Sequence, residues 1–290
     1  METPLVSVLV ASYQHASFVE AAIRSVLVQE SVNYELLVID DGSTDGSVKI
    51  IEKLALENGF FFLSRENRGL ISTLNELAGK AKGKYICTLA SDDVMPSGRL
   101  AKQTAYMENH PEVPACFGQV RILDAAGNLS PDLDKRYIRA IPQVTFKELL
   151  LGEKELHGCT ELIRRSVFSE VGGFSTQFQI EDYPLWLALA YHFGSLPVLE
   201  LVCCHYRIHG SNMHQRIDFM YDQCLKVIAS YKDDPSYPEA ERRWKANWFS
   251  ALAFADKKDA LRRLPDLFSF SWAFLRRLPK LLIPARFLRY

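Results

Sequence analysis

Two short acidic clusters have the residue types and spacing that bind a metal ion and a phosphorylated ligand. The segment DDGSTD (40–45) follows an apolar run over 34–39, and SDD (91–93) follows an apolar run over 85–90. If both runs are parallel strands, each cluster lies at a carboxyl end, where open α/β sheets bind ligands. Carboxylates together with diphosphate oxygens suit a hard cation such as Mg²⁺ or Mn²⁺. We therefore predict that Asp93 is a metal ligand.

Each cluster also has an ordinary structural explanation. Asp, Gly and Ser are favoured in turns between strands and helices, which would account for 40–45 alone. Residues 91–93 are also compatible with a solvated turn before a helix near Pro96. However, adjacent carboxylates repel each other unless a cation or hydrogen-bond donors compensate their charge. This repulsion favours a metal site without excluding the turn.

An aromatic residue precedes the first acidic cluster in a way that favours a nucleotide site. Residues 7–13, SVLVASY, predict a strand that ends in small residues and then Tyr13. That order would place Tyr13 on the face of a base while a carboxylate accepts the N–H of the base. Uracil offers such a donor.

The elements that must position these residues alternate between strands and helices. Apolar periodicity predicts strands over 5–11, 34–39, 60–63 and 84–90 and helices over 18–29, 47–57 and 70–81. Helices of about 10 to 14 residues between strands imply right-handed crossovers. We predict an α/β fold with a mostly parallel, Rossmann-like sheet flanked by helices.

The second half of the chain is less regular. Predicted elements are a strand over 114–120, a turn-rich connector over 124–134, a strand over 159–163, a break at 172–174, a helix over 182–192 and a strand over 199–206. Residues after 215 are helical and aromatic. We predict one α/β domain over 1–214, with nucleotide binding in about 1–110, and a helical extension over 215–290.

Two further segments carry groups suited to catalysis. Asp182 opens the 182–192 helix and has an ordinary explanation as its N-cap, with Pro184 in the first turn. In the 199–206 strand and just beyond it, alternation puts His205, Arg207 and His209 on one face. Such a face could stabilise a leaving diphosphate, Arg207 by its charge and His209 as a metal or phosphate contact. A single histidine is more often a structural group.

Composition excludes several classes of protein. The 290 residues are 48% hydrophobic with a net charge of −1, which gives no reason to expect a nucleic-acid partner. The six cysteines show no CxxC or Cys/His ligand spacing, and the first residues do not resemble a secretory leader. No apolar run approaches the roughly 18 to 20 residues of a spanning helix. We expect a reduced, cytoplasmic protein.

The end of the chain is basic and aromatic. Residues 261–290 hold seven Lys or Arg against one acid, so this tail is +6 and the remainder is −7. Its aromatic residues include Phe268, Phe270, Trp272, Phe274 and Phe287, and its prolines, which predict short helices, are Pro265, Pro279 and Pro284. Such pieces suit an anionic bilayer interface, which predicts peripheral association with the inner face of the cell membrane. A packed extension or a dimer contact would explain the same pattern.

Four segments together resemble family two of the inverting glycosyltransferases, which have the GT-A fold. They are VSVLVASYQHASFVEAAIRSVLVQ, ELLVIDDGSTDGS, ENRGLISTLNELAGKAKGKYICTLASDD, and GGF followed by IEDYPLWLAL, in the family's order over about residues 4–212. The resemblance implies metal-dependent transfer, with inversion, from a nucleoside-diphosphate sugar to an acceptor hydroxyl. UDP is the expected nucleotide and Mn²⁺ or Mg²⁺ the expected metal. We therefore expect a glycan or lipid-linked acceptor and a role in bacterial cell-surface polysaccharide, O-antigen or other glycan assembly.

The resemblance also implies roles for parts of the domain and for individual residues. Residues 1–110 would bind the nucleotide sugar, and 111–214 would bind the acceptor and hold the catalytic base. The base would contact Ala11, Tyr13 and Asp41, the ribose would lie near Asp92, and the nucleotide would be flanked by Asn67, Gly69 and Asn75. The diphosphate and its metal would contact Asp93, Arg207 and His209. The general base would be Asp182, with Glu181 as a substitute or as a group that orients it.

Two other functions remain open. A nucleotide-sugar-binding protein without turnover would keep the features of Asp41 and Asp93 but would need no base. A nucleotidyltransferase usually carries a Gly-rich, basic loop after its first strand, and residues 11–17 contain no glycine. Asp182 and this missing loop favour the glycosyltransferase.

Overall fold

One mixed sheet organises the described part of the chain. The computed structural model describes residues 3–137, 141–210, 216–269 and 271–282. Within these residues the strands are β1 (Val6–Ser12), β2 (Tyr34–Asp40), β3 (Phe61–Ser64), β4 (Tyr85–Thr88), β5 (Ala115–Leu123), β6 (Gln143–Val144), β7 (Leu162–Arg164) and β8 (Leu196–Arg207). They lie side by side in the order β3-β2-β1-β4-β7-β5-β8-β6.

Helices connect the strands and continue beyond them. They are α1 (Val19–Leu27), α2 (Ser47–Asn58), α3 (Leu70–Lys80), α4 (Arg99–Asn109), α5 (Pro131–Tyr137), α6 (Phe146–Leu150), α7 (Arg165–Glu170), α8 (Asp182–Phe193), α9 (Ile217–Ala229), α10 (Tyr237–Ala255), α11 (Lys257–Leu267) and α12 (Trp272–Leu275). The predicted bounds of every element from β1 to β4 agree with the structure to within two residues.

The first half of the sheet is parallel. β1 pairs in parallel with β2 and β4, and β2 pairs in parallel with β3. β7 is antiparallel to β4 and β5, β5 is parallel to β8, and β6 is antiparallel to β8. The predicted mostly parallel α/β sheet flanked by helices is confirmed. The carboxyl ends of β1, β2 and β4 therefore share one edge, which positions both acidic clusters.

The side chains of β1 alternate between two hydrophobic clusters. Val8 and Val10 pack with Ile23 of α1 on one face of the sheet. Leu9 packs with Leu77 of α3 on the other face. Because both faces are covered, β1 is an apolar run without the polar alternation of a strand that has one face in water.

One predicted strand is shorter than expected. The 159–163 prediction is wrong in its first half, where residues Gly158–Thr160 form a 3₁₀ turn. The backbone N–H and the hydroxyl of Thr160 both donate to the carbonyl of His157, at 2.9 and 2.7 Å. These bonds close the turn, so β7 begins only at Leu162. The turn brings residues 157–161 to the edge of the sheet that holds the acidic clusters.

The helices after the sheet pack in two ways. Cys224, Val227 and Ile228 of α9 join the hydrophobic cluster on one face of the sheet. Phe249 of α10, Leu267 of α11 and Phe274 of α12 are buried together in a separate hydrophobic cluster. Since α9 shares the core of the sheet, the division at residue 214 remains a prediction.

The basic tail is partly packed rather than wholly free. Phe274 is buried, Phe268 is half exposed and Trp272 is 76% exposed, while Phe270 and Phe287 lie outside the described residues. Pro265 does not divide the segment as predicted, because it lies inside α11. Pro279 is the second residue of a short 3₁₀ turn, Leu278–Leu281, where its missing N–H costs nothing, and Pro284 lies outside the described residues. No described helix is long and apolar enough to cross a membrane.

Candidate active site

Two aspartates of the first acidic cluster hold the turn after β2. Asp40 is fully buried and accepts hydrogen bonds from the hydroxyls of Ser12 and Ser43, at 3.0 and 2.7 Å. Asp45 accepts from the backbone N–H of Ala16 at 2.8 Å and from that of Ser47, the first residue of α2, at 3.0 Å, while Gly46 occupies the N-cap position. The turn interpretation is therefore correct for these two residues.

Asp41 ties the next loop to the sheet. Its carboxylate accepts from the guanidinium of Arg65 and from the backbone N–H groups of Arg68 and Gly69, the last two at 2.9 and 2.8 Å. Gly42 beside it has φ +85°, and an added Cβ would lie 2.8 Å from the amide nitrogen of Asn67. A carboxylate has about four acceptor sites, so Asp41 could accept one further N–H. Its contact with a base remains a prediction.

The other predicted nucleotide residues divide into two groups. Ala11 lies near the end of β1, Tyr13 is 49% exposed just beyond it, and the side chain of Asn67 accepts from the N–H of Gly69 at 3.2 Å. These residues surround Asp41. Asn75 instead bonds through both amide atoms to the backbone of Phe174, at 2.8 and 3.2 Å, so this side chain holds α3 against the Gly-Gly-Phe break.

Asp92 lies in a cluster with two histidines. Its Oδ2 is 2.9 Å from Nε2 of His209 and 4.0 Å from Nε2 of His15. One ligand atom from each residue lies within 4.8 Å of the others. Nδ1 of His15 is 2.7 Å from the hydroxyl of Ser91, and a bond of this kind fixes the orientation of a metal-binding imidazole. His15 was not predicted, although it stands two residues after Tyr13 in the same loop.

Asp93 is buried with an oxygen that lacks a partner. The residue is 1% exposed, and its Oδ1 accepts from the backbone N–H of Arg207 at 2.8 Å. Its Oδ2 accepts no hydrogen bond from any described residue. Burial and the neighbouring charge of Asp92 raise the pKa of Asp93 to about 8. A buried carboxylate in this situation is stabilised by a cation, so Asp93 fits the predicted metal site.

Arg207 and His209 meet at Phe18, whereas His205 does not join them. The guanidinium of Arg207 lies 5.0 Å above the ring of Phe18 and donates to the backbone carbonyl of Asp92 at 2.8 Å. The His209 ring is 4.9 Å from that of Phe18. The charged neighbours of His205 are instead Arg121 and Asp134. The prediction that all three basic groups converge is therefore wrong for His205.

Asp182 is the first residue of α8 and does not cap it. Glu181 occupies the N-cap position, without a side-chain capping bond, and Oδ1 of Asp182 accepts from the adjacent N–H of Tyr183 at 2.6 Å. Burial raises the pKa of Asp182 above its ordinary value. Burial and the charge of Asp182 likewise raise the pKa of Glu181 to about 8. Groups with raised pKa values suit proton transfer near neutral pH.

A third carboxyl, Glu161, lies behind Asp182 and was not predicted. It is buried, and one of its oxygens accepts from the hydroxyl of Thr88 at 3.0 Å. Burial and the nearby Asp182 raise its pKa to about 7. The sequence signal was a lone acid inside the apolar stretch 159–163. Gly158 completes this region, because a Cβ there would lie 3.3 Å from that of Asp182.

Comparison with known proteins agrees with these features. A family model described as glycosyl transferase family 2 matches residues 7–172, which is more than half of the chain. The chain belongs to this family. An uncharacterized glycosyltransferase of Rickettsia bellii is 26% identical over 230 residues, covering 79% of this chain and 33% of the relative. The chain thus spans about a third of that relative's length.

Solved structures show the same fold at low identity. A mannosyltransferase from Pyrobaculum calidifontis, PcManGT in complex with GDP-Man and Mn²⁺, has a TM-score of 0.64 and 20% identity, covering 97% of this chain and 81% of that one. S. aureus TarS 1-349 in complex with UDP-GlcNAc has a TM-score of 0.63 and 16% identity, covering 96% and 80%. The predicted GT-A fold is confirmed.

The family match covers only part of the site. The acidic clusters and Glu161 lie within residues 7–172, whereas Asp182, Arg207 and His209 follow them. The roles of those three residues in this family 2 chain rest on the geometry described above and on the sequence resemblance.

Glu161→Gln is expected to stabilise the protein at pH 8. The pKa of about 7 means that folded Glu161 keeps its proton between its ordinary 4.5 and 7, whereas the unfolded chain loses it. Its contribution to stability is therefore complete below pH 4.5 and is lost as pH rises through 7, by up to about 3 kcal/mol. Urea unfolding of the variant should show a gain over wild type at pH 8 that disappears near pH 5.

An exposed acid provides the control for this prediction. Glu170→Gln at the end of α7 removes the same charge from the surface and should leave the pH dependence of unfolding unchanged. If Glu161→Gln is less stable than wild type by the same amount at pH 5 and pH 8, ionisation of Glu161 does not destabilise the folded protein.

Proposed function

We propose that this protein is a metal-dependent inverting glycosyltransferase that moves a sugar from a nucleoside-diphosphate sugar to an acceptor hydroxyl. One observation carries the proposal: residues 158 and 159 lie between Asp182 and Asp93. Gly158 abuts Asp182, and the sulfur of Cys159 lies within 4.8 Å of a carboxylate oxygen of Asp93. A metal-binding carboxylate and a basic carboxylate on either side of one short segment suit a displacement at a carbon between them.

The donor site is proposed at the edge formed by β1 and β2. The exposed ring of Tyr13 offers a stacking surface, and Asp41 retains acceptor capacity for the N–H of a base. A neighbour of this fold binds UDP-GlcNAc and another binds GDP-Man. A uracil N–H suits Asp41, so we infer a UDP sugar.

The metal is proposed at the second acidic cluster. Asp93 would hold it through the oxygen that lacks a partner, and the potential ligands grouped with Asp93 are the thiols of Cys159 and Cys204. His209 belongs to a separate group with His15 and Asp92, which offers two imidazoles and one carboxylate. A donor set that includes these imidazoles suits Mn²⁺ better than Mg²⁺. When bound, the ion would neutralise charge on the leaving diphosphate.

Asp182 is proposed as the general base. It would take the proton of the acceptor hydroxyl while the hydroxyl oxygen bonds to the anomeric carbon and the nucleoside diphosphate leaves from the opposite face. An α-linked donor would give a β-linked product. Burial and the charge of Asp182 raise the pKa of both Glu181 and Glu161, and Arg207 donates to the backbone carbonyl of Asp92. A positioned base typically contributes about 10² to 10⁴ in rate.

A donor screen tests this proposal. UDP-, GDP- and dTDP-sugars are added with Mn²⁺ and the melting temperature is measured, because a ligand stabilises by RT ln(1 + [L]/Kd). The expected result is a shift with a UDP sugar that requires the metal, followed by donor hydrolysis or transfer. Binding without turnover over a panel of acceptors would instead indicate a nucleotide-sugar-binding protein.

We infer that the acceptor is lipid-linked or membrane-associated, in bacterial cell-surface polysaccharide, O-antigen or a related glycan. The inference rests on the +6 charge of residues 261–290 and on Trp272, Leu275 and Leu282, which are 76%, 40% and 86% exposed. Exposed apolar side chains beside basic ones suit an anionic bilayer surface. The tail would hold the cytoplasmic protein against the inner face of the membrane.

A double variant, Leu275→Ser with Leu282→Ser, is expected to weaken binding to phosphatidylglycerol vesicles at least about tenfold. Each leucine that enters the bilayer interface contributes about 1 to 2 kcal/mol. Vesicle sedimentation measures the loss. Point changes are preferable to truncation at 261, because Leu267 and Phe274 are buried against α10.

The matched control is Leu56→Ser on α2, which removes a leucine that is 82% exposed. It should leave vesicle binding intact. If the tail variant binds vesicles as wild type does, or if wild type ignores them at low salt, the tail serves packing or dimerisation and the membrane proposal fails.

A further inference from the structure

A basic cavity lies apart from the residues assigned to the donor and the metal. Its volume is about 550 Å³, and it is bounded by the loop after α6, by α10 and by α12. Four of its lining residues are arginines, Arg242, Arg243, Arg276 and Arg277. The lining acids are Glu153 and Glu239, so four positive charges face two negative ones.

The two acids are engaged by a single arginine. Arg243 lies 2.6 Å from Glu153 and 3.3 Å from Glu239. Arg277 donates to the amide oxygen of Asn247 at 2.5 Å. Arg242 and Arg276 are exposed and form no ion pair with any residue in the described ranges. These two arginines give the described lining of the cavity its net positive charge.

The cations of the cavity repel one another. Burial, with Arg276 and Arg243 nearby, lowers the pKa of Arg277. Burial, with Arg277 and Arg276 nearby, also lowers the pKa of Lys280, which is not part of the cavity lining and donates to the hydroxyl of Ser250 at 2.5 Å. The helices α10 and α12 stay packed despite this repulsion, with the ring of Phe274 4.8 Å from that of Phe249. A bound anion would relieve the repulsion without rearranging the helices.

The cavity also has a packed connection to the proposed base. A Cβ on Gly152 at the cavity wall would lie 3.1 Å from the ring of Trp244. That ring is 5.5 Å from the ring of Tyr183, the residue after Asp182. The cavity is therefore on the side of the molecule where α8 begins.

We propose that this cavity binds a phosphate or diphosphate group. Guanidinium forks match the oxygens of phosphates in geometry and charge, and the volume leaves room for a group attached to the phosphate. The phosphate could belong to a soluble compound or to a lipid headgroup, because both present the same group to the arginines. The site is independent of the donor residues, so it stands or falls separately from the proposed transferase activity.

Calorimetry with inorganic pyrophosphate tests the site. The full chain is titrated at low ionic strength with EDTA present, so that no divalent ion supports binding at Asp93. The test variant is Arg242→Gln with Arg276→Gln, both exposed. The control is Arg24→Gln with Lys53→Gln, which removes two exposed cations outside both the cavity and the tail. We expect the test variant to bind at least about tenfold more weakly, while the control binds as wild type and both keep the wild-type melting temperature.

Vesicles distinguish the source of the phosphate. Binding of pyrophosphate that depends on Arg242 and Arg276 supports a soluble ligand. Binding to phosphatidylglycerol but not phosphatidylcholine vesicles, with the same dependence and no pyrophosphate binding, supports a lipid headgroup. If the test and control variants lose binding equally with both probes, or wild type binds neither, the cavity is not a phosphate site.

Discussion

Asp182→Asn is expected to reduce the turnover of sugar transfer by at least about 10² while donor binding and melting temperature stay near wild type. Asparagine has nearly the same size, and its amide oxygen still accepts the bond that Tyr183 donates at 2.6 Å. It cannot take a proton from the acceptor. Turnover at saturating donor, donor affinity by calorimetry and thermal unfolding would be measured on the same preparation.

The pH profile makes this prediction sharper. Since burial raises the pKa of Asp182 above 3.8, the base is protonated over a wider acidic range than an exposed aspartate. Transfer by wild type should therefore rise with pH through that raised pKa, and the residual rate of Asp182→Asn should lack this rise.

A first-turn aspartate elsewhere serves as the control. Asp259 lies in the first turn of α11, far along the chain from the sheet, and Asp259→Asn should keep both the rate and the pH profile. If Asp182→Asn loses stability and keeps its rate, Asp182 supports the start of α8 and another group is the base.

Asp93→Asn is expected to abolish the metal dependence of donor binding. It should also lower turnover at least about as much as Asp182→Asn does. Its Oδ1 can still accept from the N–H of Arg207, but the buried oxygen without a partner becomes an amide without charge. Calorimetry with UDP in the presence and absence of Mn²⁺ separates metal binding from activity. Asp233→Asn, on the exposed segment after α9, is the control.

The melting temperature of the Asp93→Asn protein shows whether a loss of activity comes from unfolding or from the loss of the metal. Burial and Asp92 already raise the pKa of Asp93 to about 8, so the metal-free protein gains little from the charge. Asp93→Asn should melt at or above the wild-type temperature without metal. Full transfer activity with unchanged Mn²⁺ dependence would remove Asp93 from the metal site.

The sequence alone determined the architecture around the first acidic cluster. Strands β1 to β4 and helices α1 to α3 follow from local apolar periodicity, because each is a short element whose side chains face a core on a regular repeat. Their alternation fixed a parallel sheet, and that placed Asp41 and Asp93 at one edge. The turn residues Asp40 and Asp45 were also predictable, since their partners lie close in the chain or at the facing strand end.

Only the tertiary structure determined which reactive side chains lie close to one another. His15 and His209 reach Asp92 from positions 77 and 117 residues away along the chain, and no local pattern encodes such a pairing. Glu161 acquires its raised pKa only because the 158–160 turn and α8 remove it from water. Periodicity reports which face of an element is buried, but contacts between distant segments depend on how whole elements pack, and so do the electrostatic effects of that packing.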